Sequence, residues 1–169
     1  SFNPELWEAI MQLPDFQKAD FSSDQAFFSS INFNFIPTPL RENNQLMQWV
    51  KENGTPDLIQ PGDIKGIIHS HSNWSDGAVT LEEMANAAQQ RGLEYLVISD
   101  HSKTAFYANG LSIERVREQH NYIDELNRRL APFKIFKSIE SDILNDGSLD
   151  YPDEILAGFD LVIASVHSN

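Results

Sequence analysis

From residue 64 onward the chain repeats one rhythm: a short apolar run, a polar loop, then a stretch with helical spacing. The runs at 64–68, 95–99, 135–139 and 161–166 read as strands, bounded by turn residues and rich in Ile, Val and Leu. Between them, Thr80-Leu-Glu-Glu83 spells a capping box, in which Thr80 caps a helix and Glu83 reaches back. That helix turns Met84, Ala87 and Ala88 inward and stops near Gly92. Ser112 opens a longer helix to about Leu130, with Val116, Ile123 and Leu126 among its apolar positions, and 152–156 opens a short one. Alternating strands and helices, with apolar strands, predict a parallel sheet or barrel.

Each predicted strand ends in residues that bind metals. The first runs into His69 and His71, the second into Asp100-His101, the third into Glu140 and the fourth into His167. In a parallel β/α barrel the carboxyl ends of the strands converge on one face, so these side chains are expected to meet. Residues two apart in an extended segment point the same way, which aims His69 and His71 at one point. Asp76 follows five residues after His71. Imidazoles with carboxylates suit a divalent ion such as Zn, Mn or Fe. The chain has no cysteine, which excludes a thiolate site and a disulfide framework.

The other polar residues near these positions carry plainer readings. Asp76 lies in Ser-Asp-Gly, a common turn sequence. Asp100 either orients an imidazole or caps a loop amide. Glu140 emerges from an apolar run, where a carboxylate without a partner is costly, and this favours a role between metals. Lys103 either contacts an anionic substrate or is a solvated loop lysine. His120 reads as a surface residue of its helix. Asp142, Asp146 and Asp150 read as turn chemistry.

Residues 1–60 have a different texture, rich in Phe, Asn, Ser and Pro. Helices are expected at 4–13 and 40–52, with 25–34 open between helix and extended chain and 55–62 a linker or loop. The net charge of −13 and the lack of a basic patch disfavour nucleic acid as a partner unless cations or another domain compensate. No apolar run is long enough to span a bilayer. The start of the chain lacks the pattern of a signal peptide. Together these predict no membrane partner and a cytoplasmic location.

Five segments in order, GIIHSHSNWSDG, VISDHSK, ANGLS, IESDILNDGSLDYPDEIL and VIASVHS, resemble the PHP (polymerase and histidinol phosphatase) domain. The DGSLDYPDE and ANGL stretches look most like the version at the C-terminus of bacterial and archaeal family X DNA polymerases. The resemblance is strong over about residues 62–169 and weaker over 35–42; residues 1–34 show no convincing likeness. It implies an α/β fold: a partial, distorted β/α barrel of PHP type behind an N-terminal tail. Residues 1–60 would be a linker, or the end of a polymerase module, and 61–169 the N-terminal part of the PHP domain. It also implies up to three divalent metals (Zn, Mn or Fe), with His69, His71, Asp76, His101, Glu140 and His167 at ligand positions. The family pattern continues with another histidine and an Asp-x-His pair, which lie beyond Asn169. A truncated barrel is accordingly expected, with exposed edges that favour self-association.

Three functions follow from that resemblance. The first is metal-dependent hydrolysis of DNA phosphodiesters, of the 3′–5′ exonuclease or repair type. Glu140 would bridge two metals, a metal-activated hydroxide would attack phosphorus, and His101 and Lys103 would act on the substrate. The second is a phosphomonoesterase of the histidinol-phosphatase type, whose small phosphate ester suits an acidic surface better. The third is a non-catalytic piece with an incomplete metal site.

Overall fold

The computed structural model describes residues 3–42 and 45–167, without the side chain of Met47. Two compact units divide the chain, residues 1–59 and 60–169.

The first unit is helical: α1 (Pro4–Met11), α2 (Asp24–Ser30) and α3 (Gln45–Asn53). Asn3 caps α1 by accepting the Leu6 N–H, and Pro4 occupies the first turn, where its missing N–H costs nothing. Ser23 does the same for α2 through the Ala26 N–H, so the 25–34 stretch resolves as helix over its first half. Leu6, Ile10, Phe27, Phe28, Ile31, Ile36 and Val50 form its core. Arg41 is buried with them; it donates to the Ile36 carbonyl and pairs with Asp24 at 2.7 Å.

The second unit runs β1 (Gly66–Ser70), α4 (Leu81–Gln90), β2 (Tyr95–His101), α5 (Ile113–Leu130), β3 (Lys134–Asp142), α6 (Asp153–Leu156) and β4 (Leu161–Ser165). All strand pairs are parallel and the sheet order is β1-β2-β3-β4. Sequential order without a reversal is the pattern of a barrel rather than a doubly wound sheet. The sheet curls into a half-barrel, as the sequence predicts.

The caps form as expected. Thr80 and Glu83 satisfy each other's backbone groups at the start of α4, and Ser112 accepts the Arg115 N–H at the start of α5. Outward-facing Leu96, Ile98 and Ile135 pack against Leu81, Ala85, Ala88, Ile123 and Leu126 of α4 and α5. Leu111, Val116, Ile139, Tyr151 and Ile155 form a second cluster under α6.

The opposite, concave face is layered along the strands. Tyr95 and Phe136 meet edge to face at the amino end, ring centroids 5.7 Å apart. Gly66 lies directly beneath the Tyr95 ring, where any Cβ would collide with it. One step up, the buried Ser99 and Ser138 hydroxyls bond each other at 3.1 Å. Above the serines lies the carboxyl-end rim.

Candidate metal centre

Strand register brings the acidic and imidazole side chains to this rim. His101 pairs with Glu140 and Glu140 with Ile163 across the sheet, so one concave row ends in side chains at a common height. His101 and Glu140 are almost fully buried, whereas His69 and Asp76 are partly open to solvent. The imidazoles crowd together: ring centroids are 5.3 Å apart for His69 and His71, 4.4 Å for His71 and His101, and 4.9 Å for His101 and His167.

His69 and His71 meet by a route that strand alternation does not provide. The β1–β2 register breaks between Ile67 and Ser70, and His69 has φ +65°. A non-glycine residue in the left-handed region is uncommon and costs free energy that its surroundings must offset. The bulge re-aims the His69 ring toward the rim, a frequent use of bulges beside functional sites. The regular i, i+2 geometry expected from the sequence is therefore replaced by a bulge that reaches the same end.

Three overlapping trios emerge among the described residues: His69, His71 and Glu140; His71, Asp76 and His101; His101, Glu140 and His167. Within each trio, one ligand atom per residue lies within 4.8 Å of the others. Glu140 Oε2 is 3.2 Å from His69 Nε2, 3.4 Å from His71 Nε2 and 3.4 Å from His101 Nδ1, while its Oε1 is 3.1 Å from His167 Nε2. Asp76 stands 3.2 Å from His71 Nδ1 and 3.5 Å from His101 Nε2.

These spacings fit a divalent ion. Ligands about 2.0–2.2 Å from a tetrahedral ion lie about 3.3–3.6 Å from one another. The Nδ1 atoms of His71 and His101 are moreover buried without a hydrogen-bond partner, a state that a buried polar atom rarely holds unless a metal or water takes its lone pair. Glu140 has two oxygens facing two trios and can serve both. Each neutral imidazole has one free lone pair, so His71 and His101 can each serve one ion at a time. Filling all three positions therefore calls for further oxygen donors such as water or substrate.

The electrostatics of His101 and Glu140 agree. Burial holds the His101 imidazole below its ordinary pKa, and the neighbouring His71 adds to this, against the pull of Asp76 and Glu140. A ring kept neutral is a ring ready to ligate. Burial pushes the Glu140 carboxyl up, but hydrogen bonds from His69 and Ser165 and the charges of His69 and His167 together bring it below the ordinary value. The His167 imidazole is raised by its hydrogen bond to Asp142, with burial opposing and Glu140 adding to it.

Asp142 is not a turn residue. It ends β3 one alternation beyond Glu140, and its Oδ1 lies 2.5 Å from His167 Nδ1 while its Oδ2 accepts from Thr104 Oγ1 at 2.6 Å. Its spacing of two from Glu140 was the available signal. Asp150 is also buried rather than a surface turn; it accepts the Thr104 N–H and hydroxyl and anchors the loop after β2. Asp146 does act in a turn, accepting from Ser148. Asp100 is fully buried on the other side of the sheet from His101, and it caps the loop after β1 rather than orienting an imidazole. The half-exposed Lys103 ammonium lies 3.8 Å from Asp150 and 5.6 Å from the Tyr151 ring centroid, both on the segment after β3. His120 departs from the surface reading: it is half-buried with its ring edge-on to Phe159 at 4.7 Å.

A family model described as "PHP domain" matches residues 68–169. The chain is 44% identical over 149 residues to a Bacillus subtilis protein named "DNA polymerase/3'-5' exonuclease PolX", covering 88% of this chain and 26% of that protein. This match is longer than the stretch from Phe35 to the end, so it enters the first 34 residues, where the sequence alone showed no convincing likeness. Proteins named "Probable phosphatase" from Acetivibrio thermocellus and Caldicellulosiruptor saccharolyticus are 36% and 31% identical over 104 and 107 residues, covering 59% of this chain in each case and 39% and 40% of those proteins. The chain thus spans well under half the length of the curated relatives it matches. No helix among the described residues is long and apolar enough to cross a membrane.

Proposed function

This chain belongs to the PHP domain family, and on that premise we propose that its rim hydrolyses phosphoesters with divalent metals, acting on DNA ends within a longer polymerase-like protein. One observation carries the reading: Glu140 stands between two imidazole groups, one oxygen toward each, with orphaned ring nitrogens beside it. His69, His71, Asp76, His101, Glu140 and His167 would hold the ions. Zn, Mn or Fe bound there would supply Lewis acidity to a phosphoryl oxygen and hydroxide at neutral pH.

The chain's own residues do the rest. Glu140 fixes the spacing of the two imidazole groups. Asp142 holds the His167 ring by its Nδ1, so that Nε2 faces the rim. The buried serine layer closes the floor, so that a substrate enters from the carboxyl end. Residues 60–169 are read as the N-terminal part of the PHP domain and residues 1–59 as the end of a polymerase module or a linker, in keeping with the length of the match to the Bacillus protein.

The test is release of nucleotides from single-stranded DNA in manganese by the full-length protein and by its Glu140→Ala variant. Activity lost in the variant is expected; undiminished activity would overturn the assignment. A second reading is a phosphomonoesterase, favoured by the charge of −13 and by the phosphatase-named relatives. Turnover of p-nitrophenyl phosphate or histidinol phosphate without nuclease activity would select it.

A further inference from the structure

Two large aromatic side chains stand exposed beside the rim. Tyr107 is 71% and Phe106 85% exposed. The Tyr107 ring centroid lies 6.2 Å from the His101 ring and 6.5 Å from the His167 ring. The planes are inclined at 59° and 73°, so neither imidazole stacks on the phenol ring. Isolated exposed aromatics are ordinary on protein surfaces. These two differ in being displayed by a loop that is fastened on every side.

The flanking Ala105 and Ala108 are buried. Thr104 is tied through its N–H and hydroxyl to Asp150. Asn109 adopts φ +54°, and its carbonyl accepts from the Arg115 guanidinium at 2.9 Å. Gly110 passes so close to the Ser102 carbonyl that a Cβ would overlap it. The Leu111 N–H returns to the His101 carbonyl at 2.8 Å. The loop is thus closed on the end of β2, and the backbone that carries its aromatic pair is held in place before any ligand arrives. The ordering entropy of the loop backbone is already spent in folding, which favours preorganised recognition.

We propose that Tyr107, with Phe106 beside it, is a stacking platform for the nucleobase of the nucleotide whose phosphoester lies at the rim; this rests on the phosphoesterase reading. The charge balance points the same way. A nucleic-acid site normally gains affinity from lysines and arginines along the phosphates, whereas this chain has a net charge of −13 and the one lysine of the loop, Lys103, is turned to Asp150. An uncharged stacking contact, tolerant of base identity, supplies affinity without a basic groove. A strand end and a free nucleotide offer the same chemistry, a base one sugar away from a phosphoester.

The test compares two single-stranded oligothymidylates with a slowly cleaved phosphorothioate at the last linkage, one with a normal 3′-terminal nucleotide and one with an abasic terminus. Dissociation constants are measured in manganese for the full-length wild type and for Tyr107→Ala, Tyr107→Phe and Phe106→Ala. The wild type is expected to prefer the base-bearing terminus by roughly tenfold to a hundredfold, and the preference to collapse toward unity in Tyr107→Ala and return in Tyr107→Phe. Bound metal per chain, measured on the same samples, is expected to be equal in wild type and Tyr107→Ala. A wild-type preference near unity, or one that survives Tyr107→Ala, would overturn the platform. Hydrolysis of the unmodified oligomer is scored separately, so a protein that stacks the base but cleaves nothing refutes the phosphoesterase reading and keeps the platform. Competition by thymidine monophosphate that depends on Tyr107 assigns the platform to small nucleotides, and competition by oligomers alone assigns it to strand ends.

Discussion

Asp100→Ala removes the acceptor on which the loop carrying His71 and Asp76 is built. In the native protein the carboxylate accepts the Ser72 N–H at 2.8 Å, the Ser72 hydroxyl at 2.7 Å, the Ser75 hydroxyl at 2.6 Å and the Gln119 amide at 2.7 Å. All four partners are buried. The two hydroxyls can turn toward other acceptors, as Ser75 already approaches Asp76 at 3.3 Å. The Ser72 N–H and the Gln119 amide cannot. An orphaned buried donor costs about 1–3 kcal/mol, so the variant is expected to lose about 2–6 kcal/mol. Relief of the desolvation borne by the carboxylate shifts the expectation to the lower half of that range. Asn in its place keeps one oxygen for the Ser72 N–H and the Ser75 hydroxyl and turns its amide toward the Ser72 hydroxyl and the Gln119 amide, both of which can present an oxygen, so Asp100→Asn is expected to recover part of the loss. Urea unfolding of the metal-free proteins reads the loss as a lower midpoint at unchanged slope. Loss of the loop's anchor is also expected to weaken metal binding, because His71 and Asp76 flank Ser72 and Ser75. A stability within about 0.5 kcal/mol of wild type, the range of neutral surface changes, would refute the bracing role.

Two further outcomes are expected. Asp142→Ala frees the His167 ring from its 2.5 Å contact and should lower metal affinity about 10–100-fold by equilibrium dialysis, the usual effect of losing a carboxylate behind a ligating histidine; unchanged affinity would remove Asp142 from the site. His120 is held below its ordinary value of 6.5 by burial and then by Lys137, so the unfolded chain takes up its proton first. Stability should fall as pH drops below about 6.5, and His120→Phe should flatten that slope in urea titrations at pH 5 to 7.

Much of the second unit is legible in the sequence because its signals are local. The Thr80–Glu83 box and the Ser112 cap act within one turn, and 95–99 is a largely apolar run that reads as a strand by itself. What depends on distant partners is harder to read. β3 runs to Asp142, past the predicted end at Ile139. Glu140 and Asp142 belong to the strand because β2 and β4 pair with it that far, and apolar character alone does not carry that fact. β1 begins at Gly66 rather than Ile64, since Pro61–Asp63 form a 3₁₀ turn whose closing bond is made by the Ile64 N–H. The bulge at His69 cannot be seen in HSHS, although its ring still reaches the rim. Asp100 and Asp142 have similar sequence contexts and opposite faces, and only the pleat separates the loop brace from the ligand brace. Phe106 and Tyr107 draw no attention in a sequence where Phe is common, and gain meaning only from the neighbouring imidazoles.

Metal content tests the central claim most directly. The full-length protein, loaded with manganese or zinc, freed of excess by gel filtration and assayed by mass spectrometry of the element, is expected to retain at least one divalent ion per chain, with Glu140→Ala retaining markedly less. Wild-type protein that is folded and carries no stoichiometric ion under either loading would contradict the account.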